Sequence, residues 1–435
     1  MQVPILRVIL SYRMVVTFFL GISSGIPLLV TGSTLQAWMT DEKVNLAVIG
    51  LFSLVGIPYT VKFLWSPFLD RYIPPFLGRR RGWMLISQIL LMLAIGAFYL
   101  VRPAESPWIV AVLAAVVSFF SASQDIVIDA YRRELLRDEE LGLGASFASN
   151  GYRIGMLISG AFALFLADRI PWNYVYLLLA ASLLIGMITT FLGPNPDGQI
   201  IPPKSLREAV IEPFVDYFRR RGAFEILAFV LLYKVGDVMA ANMTTPFILK
   251  IGFSKTDLAV VAKTFGIIAI IGGGLLGGIL LLRIGLLRAL WIFGILQAGS
   301  TLAFSALASA GHQYYVLVAT VTFENFTSGM GASAFIAFMA SLCNKKFTAT
   351  QYALLSSLMG IPRVIVASPT GYLAEWFGWV HFFIFCTLAA IPGLIFLFRY
   401  NTWQEGSYSH MKATVTQEND ELSGESQPAI HSKEI

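Results

Sequence analysis

The stretch from Ile267 to Leu282, IIAIIGGGLLGGILLL, contains only apolar residues and no charge. It belongs to a hydrophobic segment at residues 258–281, and about 20 such residues are enough to cross roughly 30 Å of hydrocarbon as a helix. The apolar residues form a continuous run instead of alternating at every second position, which excludes a membrane-spanning β-strand. The stretch therefore predicts a transmembrane helix.

The composition of the whole chain leads to the same class of protein. Of its 435 residues, 56% are hydrophobic and only 13% are charged, whereas a soluble domain has about 25% charged residues. The mean hydropathy is +0.71. Because so few charges cannot cover a protein of this size in water, much of its apolar surface must face lipid. A disordered chain, a disulfide-stapled secreted module and a large soluble enzyme are excluded.

About twelve apolar stretches are long enough to span a membrane. We predict transmembrane helices at residues 12–38, 46–67, 83–101, 107–130, 144–167, 172–192, 224–249, 258–281, 286–309, 313–342, 349–373 and 378–399. The predicted fold class is thus an all-α polytopic membrane protein with about twelve transmembrane helices in two six-helix halves.

One long loop separates the two predicted halves. It opens with GPNPDG at residues 193–198, contains two further prolines and ends in an Arg-rich amphipathic stretch, which is typical of a linker. We predict an N-terminal six-helix half at residues 1–192, a cytoplasmic linker at 193–223 and a C-terminal six-helix half at 224–400. Residues 401–435 are polar, and we predict a disordered cytoplasmic tail.

Lysine and arginine collect on one side of the predicted helices. With both termini in the cytoplasm, the inside segments before the tail hold eighteen of these residues and the outside loops hold five. This asymmetry predicts cytoplasmic termini, because positively charged loops are retained on that side. It also accounts for the formal net charge of +5, so we expect no nucleic-acid binding.

Ionisable side chains inside the predicted helices are the candidate functional residues. Each costs about 2.5–3.5 kcal/mol at the bilayer centre even on the lenient insertion scale, so such groups must be paired or face water. They are expected to outline a polar cavity between the halves. The bases are Lys62, Arg153, Lys234, Lys263 and Arg363, and the acids are Asp125, Asp129, Asp237 and Glu324.

Spacing suggests how these charges pair and work. Asp125 and Asp129 are four residues apart and share one helical face, and the depth of Arg153 in its segment predicts that it meets Asp125. Glu324 and Arg363 form a second predicted pair, and Lys234 and Asp237, three residues apart, can bridge within one helix or face the cavity together. No histidine lies in mid-membrane, so Asp125 and Glu324 are the candidate proton carriers.

Other polar residues in these segments are candidates for the cavity lining. They are Ser24, Thr31, Gln36, Gln124, Asn150 and Asn325. Cys343 and Cys386 lie in separate apolar segments without metal-ligand spacing. We therefore expect neither a metal site nor a cofactor. A polytopic membrane enzyme would need a nucleophile with a base or a metal cluster, and the sequence pattern contains neither.

A loop motif between the second and third predicted helices resembles the inner loop motif of the major facilitator superfamily. Asp70-Arg71 is followed by Gly78-Arg-Arg-Arg81, although Ser66 stands where a glycine is expected and YIPPFL interrupts the motif. This resemblance implies that Asp70, Arg71, Arg79, Arg80 and Arg81 form the gating contacts on the inner side.

Longer motifs resemble one branch of that superfamily, the AmpG muropeptide permeases. They extend the similarity from about Phe18 to Leu394 and comprise GSTLQAWM (32–39), FLWSP (63–67), DRYIPPFLGRRRGW (70–83), SASQDIVIDA (121–130), GYRIGML (151–157), LYKVGD (232–237), FENFTSGMG (323–331) and LCNKKFTATQYALLS (342–356). Many relatives have further hydrophobic segments after the twelfth, whereas this chain ends in a polar tail.

The resemblance implies a major facilitator fold in the bacterial inner membrane. It implies import of N-acetylglucosaminyl-anhydro-N-acetylmuramic acid, with or without its stem peptide, driven by protons for peptidoglycan recycling. The expected partners are this muropeptide or anhydro-disaccharide substrate, protons and the lipid bilayer, and we expect the chain to function as a monomer. The alternative is a related carrier of another bulky anion, such as acetyl-coenzyme A.

Overall fold

The computed structural model describes residues 8–403 except 46–47, 50–51, 197–204, 255–256, 258–259, 361, 363–365 and 367–368. Every regular element of these residues is helical. We divide the described chain into an N-terminal half (residues 8–196), a linker (205–222) and a C-terminal half (223–403). The predicted tail after residue 403 and Arg363 lie outside the described residues.

Ten α-helices of the N-terminal half have defined bounds. They are α1 (Tyr12–Val30), α2 (Ser33–Asp41), α3 (Ile57–Val61), α4 (Ser66–Arg71), α5 (Gly78–Gly96), α6 (Pro107–Leu135), α7 (Leu141–Leu157), α8 (Ala163–Ala167), α9 (Trp172–Ser182) and α10 (Leu184–Leu192).

The linker contains one helix and the C-terminal half eight with defined bounds. They are α11 (Leu206–Phe218) in the linker, then α12 (Ala223–Leu232), α13 (Val235–Lys250), α14 (Ile267–Ile284), α15 (Leu286–Ala310), α16 (Tyr314–Ser341), α17 (Thr348–Leu358), α18 (Thr370–Ala389) and α19 (Ile391–Phe396).

Eight helical stretches within the described residues are long and apolar enough to cross a membrane. They are Tyr12–Asp41, Gly78–Leu100, Pro107–Leu135, Asp138–Ala167, Trp172–Leu192, Ile267–Ile284, Leu286–Ala310 and Thr370–Trp403. They coincide with the first, third to sixth, eighth, ninth and twelfth predicted segments. The tenth predicted segment is one unbroken helix, α16, whose sequence is interrupted by several polar residues.

Two of the remaining predicted segments are broken near their charged residues. In the second, a 3-10 turn at Lys62–Leu64 separates α3 from α4, and Pro58 and Pro67 begin these two short helices. Proline suits the first turn of a helix but cannot continue one from the preceding turn. In the seventh, non-helical backbone at Lys234 separates α12 from α13.

Small residues bring the first and fifth predicted helices, α1 and α7, into close contact. A Cβ atom on Gly21 or Gly25 would overlap the backbone of Ala148 or Tyr152, and one on Gly155 would overlap that of Ile22. In the absence of a hydrophobic driving force in lipid, such close backbone packing is a main source of helix association.

The chain that follows the last predicted helix differs from the prediction. The sequence predicts a disordered tail from residue 401, but residues 401–403 continue the helix. Trp403 is only 2% exposed, because it packs on Phe229 and its indole N–H donates to Glu225 over 2.9 Å. The burial of one large aromatic residue outweighs the polar composition of its neighbours.

Candidate functional site

The two halves are joined at one end by the carboxylate of Asp70, at the end of α4. Asp70 is fully buried. Its Oδ1 accepts from Arg80 over 2.8 Å, and its Oδ2 accepts from the backbone N–H and the hydroxyl of Thr350 over 2.9 and 2.7 Å. Thr350 lies in the first turn of α17, where backbone N–H groups have no helical acceptor. Asp70 therefore caps a helix of the other half, an arrangement favoured by the helix dipole.

Glu134, near the end of α6, holds the arginines of the loop motif. Its Oε1 lies 2.9 Å from Arg79 and 2.6 Å from Arg80, and Arg80 also donates to it through Nε over 2.9 Å. Arg80 thus bridges two buried carboxylates, Asp70 and Glu134. Such charge-assisted bonds are shorter and stronger than neutral ones.

A second contact between the halves starts from Asp129. This residue pairs with Arg132 over 2.9 Å, and Arg132 donates to the hydroxyl of Tyr352 in α17 over 3.0 Å. The guanidinium also lies over the Tyr352 ring, 5.6 Å from its centroid. The sequence predicts a part for Asp129 in binding or proton coupling, and the structure places this residue next to the interhalf contact.

The linker helix α11 is attached at the same end. Asp216 pairs with Arg220 over 2.6 Å and accepts from Gln351 of α17 over 2.6 Å. Lys346 reaches Glu208 of the linker over 3.0 Å. Partial burial and the neighbouring Glu208 carboxylate raise the pKa of Glu212 in the same helix. The linker helix also packs against α4 of the N-terminal half, so the linker takes part in joining the halves.

The structure also gives contacts for the other two arginines predicted to gate, Arg71 and Arg81, whose gating role stays a prediction. Arg81 donates to the carbonyls of Thr190 and Phe191 over 2.9 and 2.5 Å and to Asn195 over 3.0 Å, so it caps the end of α10 within its own half. Arg71 lies over the Tyr72 ring, 5.6 Å from the centroid. Arg79 and Arg80 contact Glu134. The side chain of Arg81 points in a different direction around the helix axis and reaches α10 instead.

The N-terminal half contains a polar group around Asp125. Ser24 of α1 donates a hydrogen bond to the Asp125 carboxylate, and Lys62 and Arg132 are within electrostatic range of it. The predicted pair of Asp125 with Arg153 is wrong. Arg153 donates to Ser149, one turn earlier in α7, and no described acid lies within 4 Å of its guanidinium. Arg153 and Asp125 lie at similar predicted depths, but their side chains do not point toward each other around the helix axes.

The C-terminal half contains a corresponding group around Lys234, at the break between α12 and α13. The ammonium of Lys234 lies 3.1 Å from Asp237 and 2.8 Å from Gln297 of α15, and both charged side chains are about four-fifths buried, at 17% and 20% exposed. Glu324 of α16 is within electrostatic range of both. The predicted Lys234–Asp237 bridge is observed, whereas the predicted Glu324–Arg363 pair involves a position outside the described residues.

The predicted lining residues do not share one environment. Ser24 belongs to the Asp125 group, and buried Gln124 donates to the Ser23 carbonyl over 3.0 Å. Asn150 donates to the Ile271 carbonyl over 3.4 Å, so it packs between the halves. Asn325 donates within its own helix over 2.9 Å. Thr31 is buried at the end of α1, and Gln36 is exposed.

Several residues of these groups are not among those predicted from the sequence. Glu134, Thr350 and Tyr352 complete the contacts at the joined end, and Gln297 completes the Lys234 group. Glu134 had a usable signal, since an acid near the end of an arginine-rich helix suggests a partner for the loop arginines. Thr350, Tyr352 and Gln297 are neutral, so a search for charges passes over them. Among the described residues, no cluster of three or more His, Cys, Asp or Glu could hold a metal ion.

Comparison with known folds defines the class of protein. The family model of the Major Facilitator Superfamily matches residues 13–367. The structure of the proton:xylose symporter XylE bound to 6-bromo-6-deoxy-D-glucose superposes with a TM-score of 0.71 at 10% identity, covering 89% of this chain and 95% of that one. The human organic anion transporter MFSD10 superposes with a TM-score of 0.63 at 15% identity, covering 91% and 100%. The chain is a multi-pass membrane protein with the major facilitator fold.

Sequence relatives narrow the class. The chain is 48% identical over 394 residues to the anhydromuropeptide permease of Escherichia coli K12, and the aligned residues cover 90% of this chain and 80% of that protein. It is 35% identical over 408 residues to the putative transporter AmpG 4 of Rickettsia conorii, covering 92% and 99%. The chain therefore belongs to the AmpG permease family of the major facilitator superfamily.

Proposed function

We propose that this protein imports anhydro-muropeptides across the bacterial inner membrane for peptidoglycan recycling. The substrate is N-acetylglucosaminyl-anhydro-N-acetylmuramic acid, with or without its stem peptide. The observation that carries the proposal is the 48% identity to an anhydromuropeptide permease over nine-tenths of this chain. Similarity at that level and extent supports a shared substrate class more strongly than the fold does, since one fold serves many functions.

Twelve membrane-spanning helices in two halves, with both termini in the cytoplasm, complete the proposed architecture. The asymmetry of lysine and arginine supports this orientation, and it assigns the joined end around Asp70 to the cytoplasmic side. The polar groups around Asp125 and Lys234 then lie deeper in the membrane, one in each half. The domain division at residues 192 and 224 is part of the same proposal.

Transport in this proposal proceeds by alternating access. The contacts of Asp70 and Arg132 with α17 close the cytoplasmic end, and their release opens it while the other end closes. Lys234 and other bases of the cavity attract the carboxylates of the muropeptide, because cations recognise such groups through charge-assisted hydrogen bonds. Hydroxyl groups in the same cavity suit the sugar rings.

Uptake by the purified protein tests this function. Proteoliposomes containing the full chain are given labelled N-acetylglucosaminyl-anhydro-N-acetylmuramic acid, with and without an imposed pH gradient. We expect saturable uptake that is accelerated when the outside is acidic and is blocked by unlabelled substrate but not by acetyl-coenzyme A. Absence of saturable uptake refutes the substrate, and competition by acetyl-coenzyme A favours the alternative anion.

Proton coupling is tested at the two proposed carriers, Asp125 and Glu324. Asp125→Asn and Glu324→Gln keep the size of each side chain but cannot bind and release a proton. We expect both variants to lose uphill uptake while they keep exchange of internal for external substrate. Asp168→Asn, at the end of α8, serves as the control variant. Normal accumulation by both Asp125→Asn and Glu324→Gln would refute coupling through these carboxyls.

A further inference from the structure

Lys62 is a buried cation without a direct partner among the described residues. It lies in the 3-10 turn between α3 and α4 and is only 7% exposed. No described acid lies within 4 Å of its ammonium, and it makes no hydrogen bond to another described residue. A lysine side chain is flexible enough to reach water from many positions, so its burial in this place is unusual.

The surroundings of Lys62 come from both halves. The turn that carries it packs against α6 and against α17 of the C-terminal half. Trp65 fixes the turn to α6, because its indole N–H donates to the Ser123 hydroxyl over 3.0 Å and its ring lies 4.8 Å from that of Phe119. Lys62 is thus held at the boundary between the halves, where alternating access changes the packing.

The charged and titratable groups facing this position are few. Asp125, Asp129 and Arg132 lie on α6, where Arg132 and Asp129 are already paired at 2.9 Å. Tyr352 of α17 accepts from Arg132. The hydroxyl of Tyr59, one turn before Lys62, is buried and interacts with Ser121 of α6 without a well-directed hydrogen bond. Asp125 accepts from Ser24 and forms no ion pair within 4 Å with Lys62, so it interacts with Lys62 through space.

Lys62 is largely buried, and its ammonium makes no direct bond to a described residue, so it can donate hydrogen bonds to a further acceptor. None of the described groups around Lys62 bonds directly to its ammonium, so a further anion can do so. We propose that Lys62 binds a carboxylate of the transported solute at the boundary between the halves, with Tyr59 as a second donor. This inference rests on the proposed function for its ligand, and it assigns a role to a candidate residue that the sequence analysis names without one.

The neighbouring Asp125 gives the site a link to proton movement. Two carboxylates, those of Asp125 and of the solute, compete for one ammonium. A like charge nearby disfavours a second anion, so the solute binds more readily when Asp125 is neutral. The site would therefore accept the solute and a proton together, which is what uptake with protons requires.

The test compares a charged ligand with an uncharged one of nearly equal size. The ligands are N-acetylglucosaminyl-anhydro-N-acetylmuramic acid and its carboxamide, which lacks the negative charge. Binding of each to the full chain in lipid nanodiscs is measured by isothermal titration calorimetry. For the native chain we expect the acid to bind about 10- to 100-fold more tightly than the carboxamide, as is usual for a hydrogen bond to a charged group.

Three variants and one control test whether Lys62 causes the difference between the two affinities. Lys62→Met should lower the ratio of the two affinities about tenfold by weakening the acid alone, whereas Lys62→Arg should keep the native preference for the acid. Asp125→Asn should bind the acid at least as tightly as the native chain, because the competing carboxylate is gone. Lys250→Met is the matched control, since Lys250 is exposed at the end of α13 and should keep the native ratio.

The outcomes separate the two claims. Carboxamide binding by Lys62→Met establishes that the variant is folded, and a native ratio in that variant overturns the carboxylate site while the transport function stands. A native chain that binds both ligands equally also overturns it. A native chain that binds neither ligand overturns the proposed function, and the ligand assigned to Lys62 with it.

Discussion

The contact between Asp70 and α17 should control how often the joined end opens. In Asp70→Ala the two bonds from Thr350 disappear, whereas Arg80 keeps its contacts with Glu134 at 2.6 and 2.9 Å. No buried charge is therefore left alone. Hydrogen bonds to charged groups contribute about 1.5–3 kcal/mol each, and the lower value suits two bonds that share one oxygen. The sum is about 3 kcal/mol, which shifts the equilibrium between closed and open states by about 100-fold.

Distances between spin labels measure this shift directly. Both native cysteines are buried and are replaced first, after which labels are attached at exposed positions of the two halves, Phe76 and Arg288. In the native protein we expect a single short distance between the labels by double electron–electron resonance. Asp70→Ala should add a longer distance that accounts for a large fraction of molecules.

The control for this prediction removes a carboxylate that does not join the halves. Asp138 is 78% exposed and pairs with Arg133 of its own half over 2.8 Å, so Asp138→Ala should keep the native distance distribution. If Asp70→Ala and Asp138→Ala give the same distribution, the capping of α17 does not hold this end closed, and the reasoning above is refuted.

Three further predictions concern single contacts. Tyr352→Phe removes the acceptor of Arg132. It should shift the equilibrium between closed and open states toward the open state by about 1 kcal/mol, or roughly fivefold, as measured by the populations of the same label distances; unchanged populations would contradict a role for this bond. Gly273→Ala should lower the thermal unfolding midpoint in detergent, because its Cβ would overlap the Phe326 carbonyl, while Gly272→Ala, with nothing within 4 Å, should not; equal midpoints would count against this packing. Asp237→Asn and Lys234→Met should each lower that midpoint. The free energy of unfolding lost in the double variant should be about 1–3 kcal/mol smaller than the sum of the two single losses; strict additivity would argue against the pair.

The membrane-spanning helices are the part of the structure most readily predicted from sequence. Eight predicted segments coincide with helical stretches of sufficient length and apolarity, because a continuous apolar run of about 20 residues matches the thickness of the hydrocarbon core. The linker helix is anticipated only as an amphipathic stretch. The break at Lys62 is not predicted, since it depends on Pro58 and Pro67 acting as helix starts inside an apolar segment.

The pairing of charges is predicted less well, for a geometric reason. Sequence position gives the depth of a side chain along a helix, but a contact also depends on how the helix is rotated and which neighbour it faces. The pair of Lys234 and Asp237 is predicted correctly because the two residues belong to adjacent turns of one segment. Arg153 and Asp125 lie in different helices, and there equal depth is not sufficient.

The contacts that join the halves share a property that bears on how easily they open. The ion pairs given for the described residues at this end lie within one half, or between the linker and its neighbours, as Arg80 with Glu134 and Arg132 with Asp129 illustrate. The bonds from Asp70 and Arg132 to α17 instead join a charge to a neutral group, Thr350 or Tyr352. Separating a buried ion pair costs about 3–5 kcal/mol because each charge loses its partner. Here the charges of Asp70 and Arg132 would retain their counter-ions if α17 moved away. Opening the joined end would then break only bonds to neutral groups, which favours the reversible opening that the proposed alternating access requires.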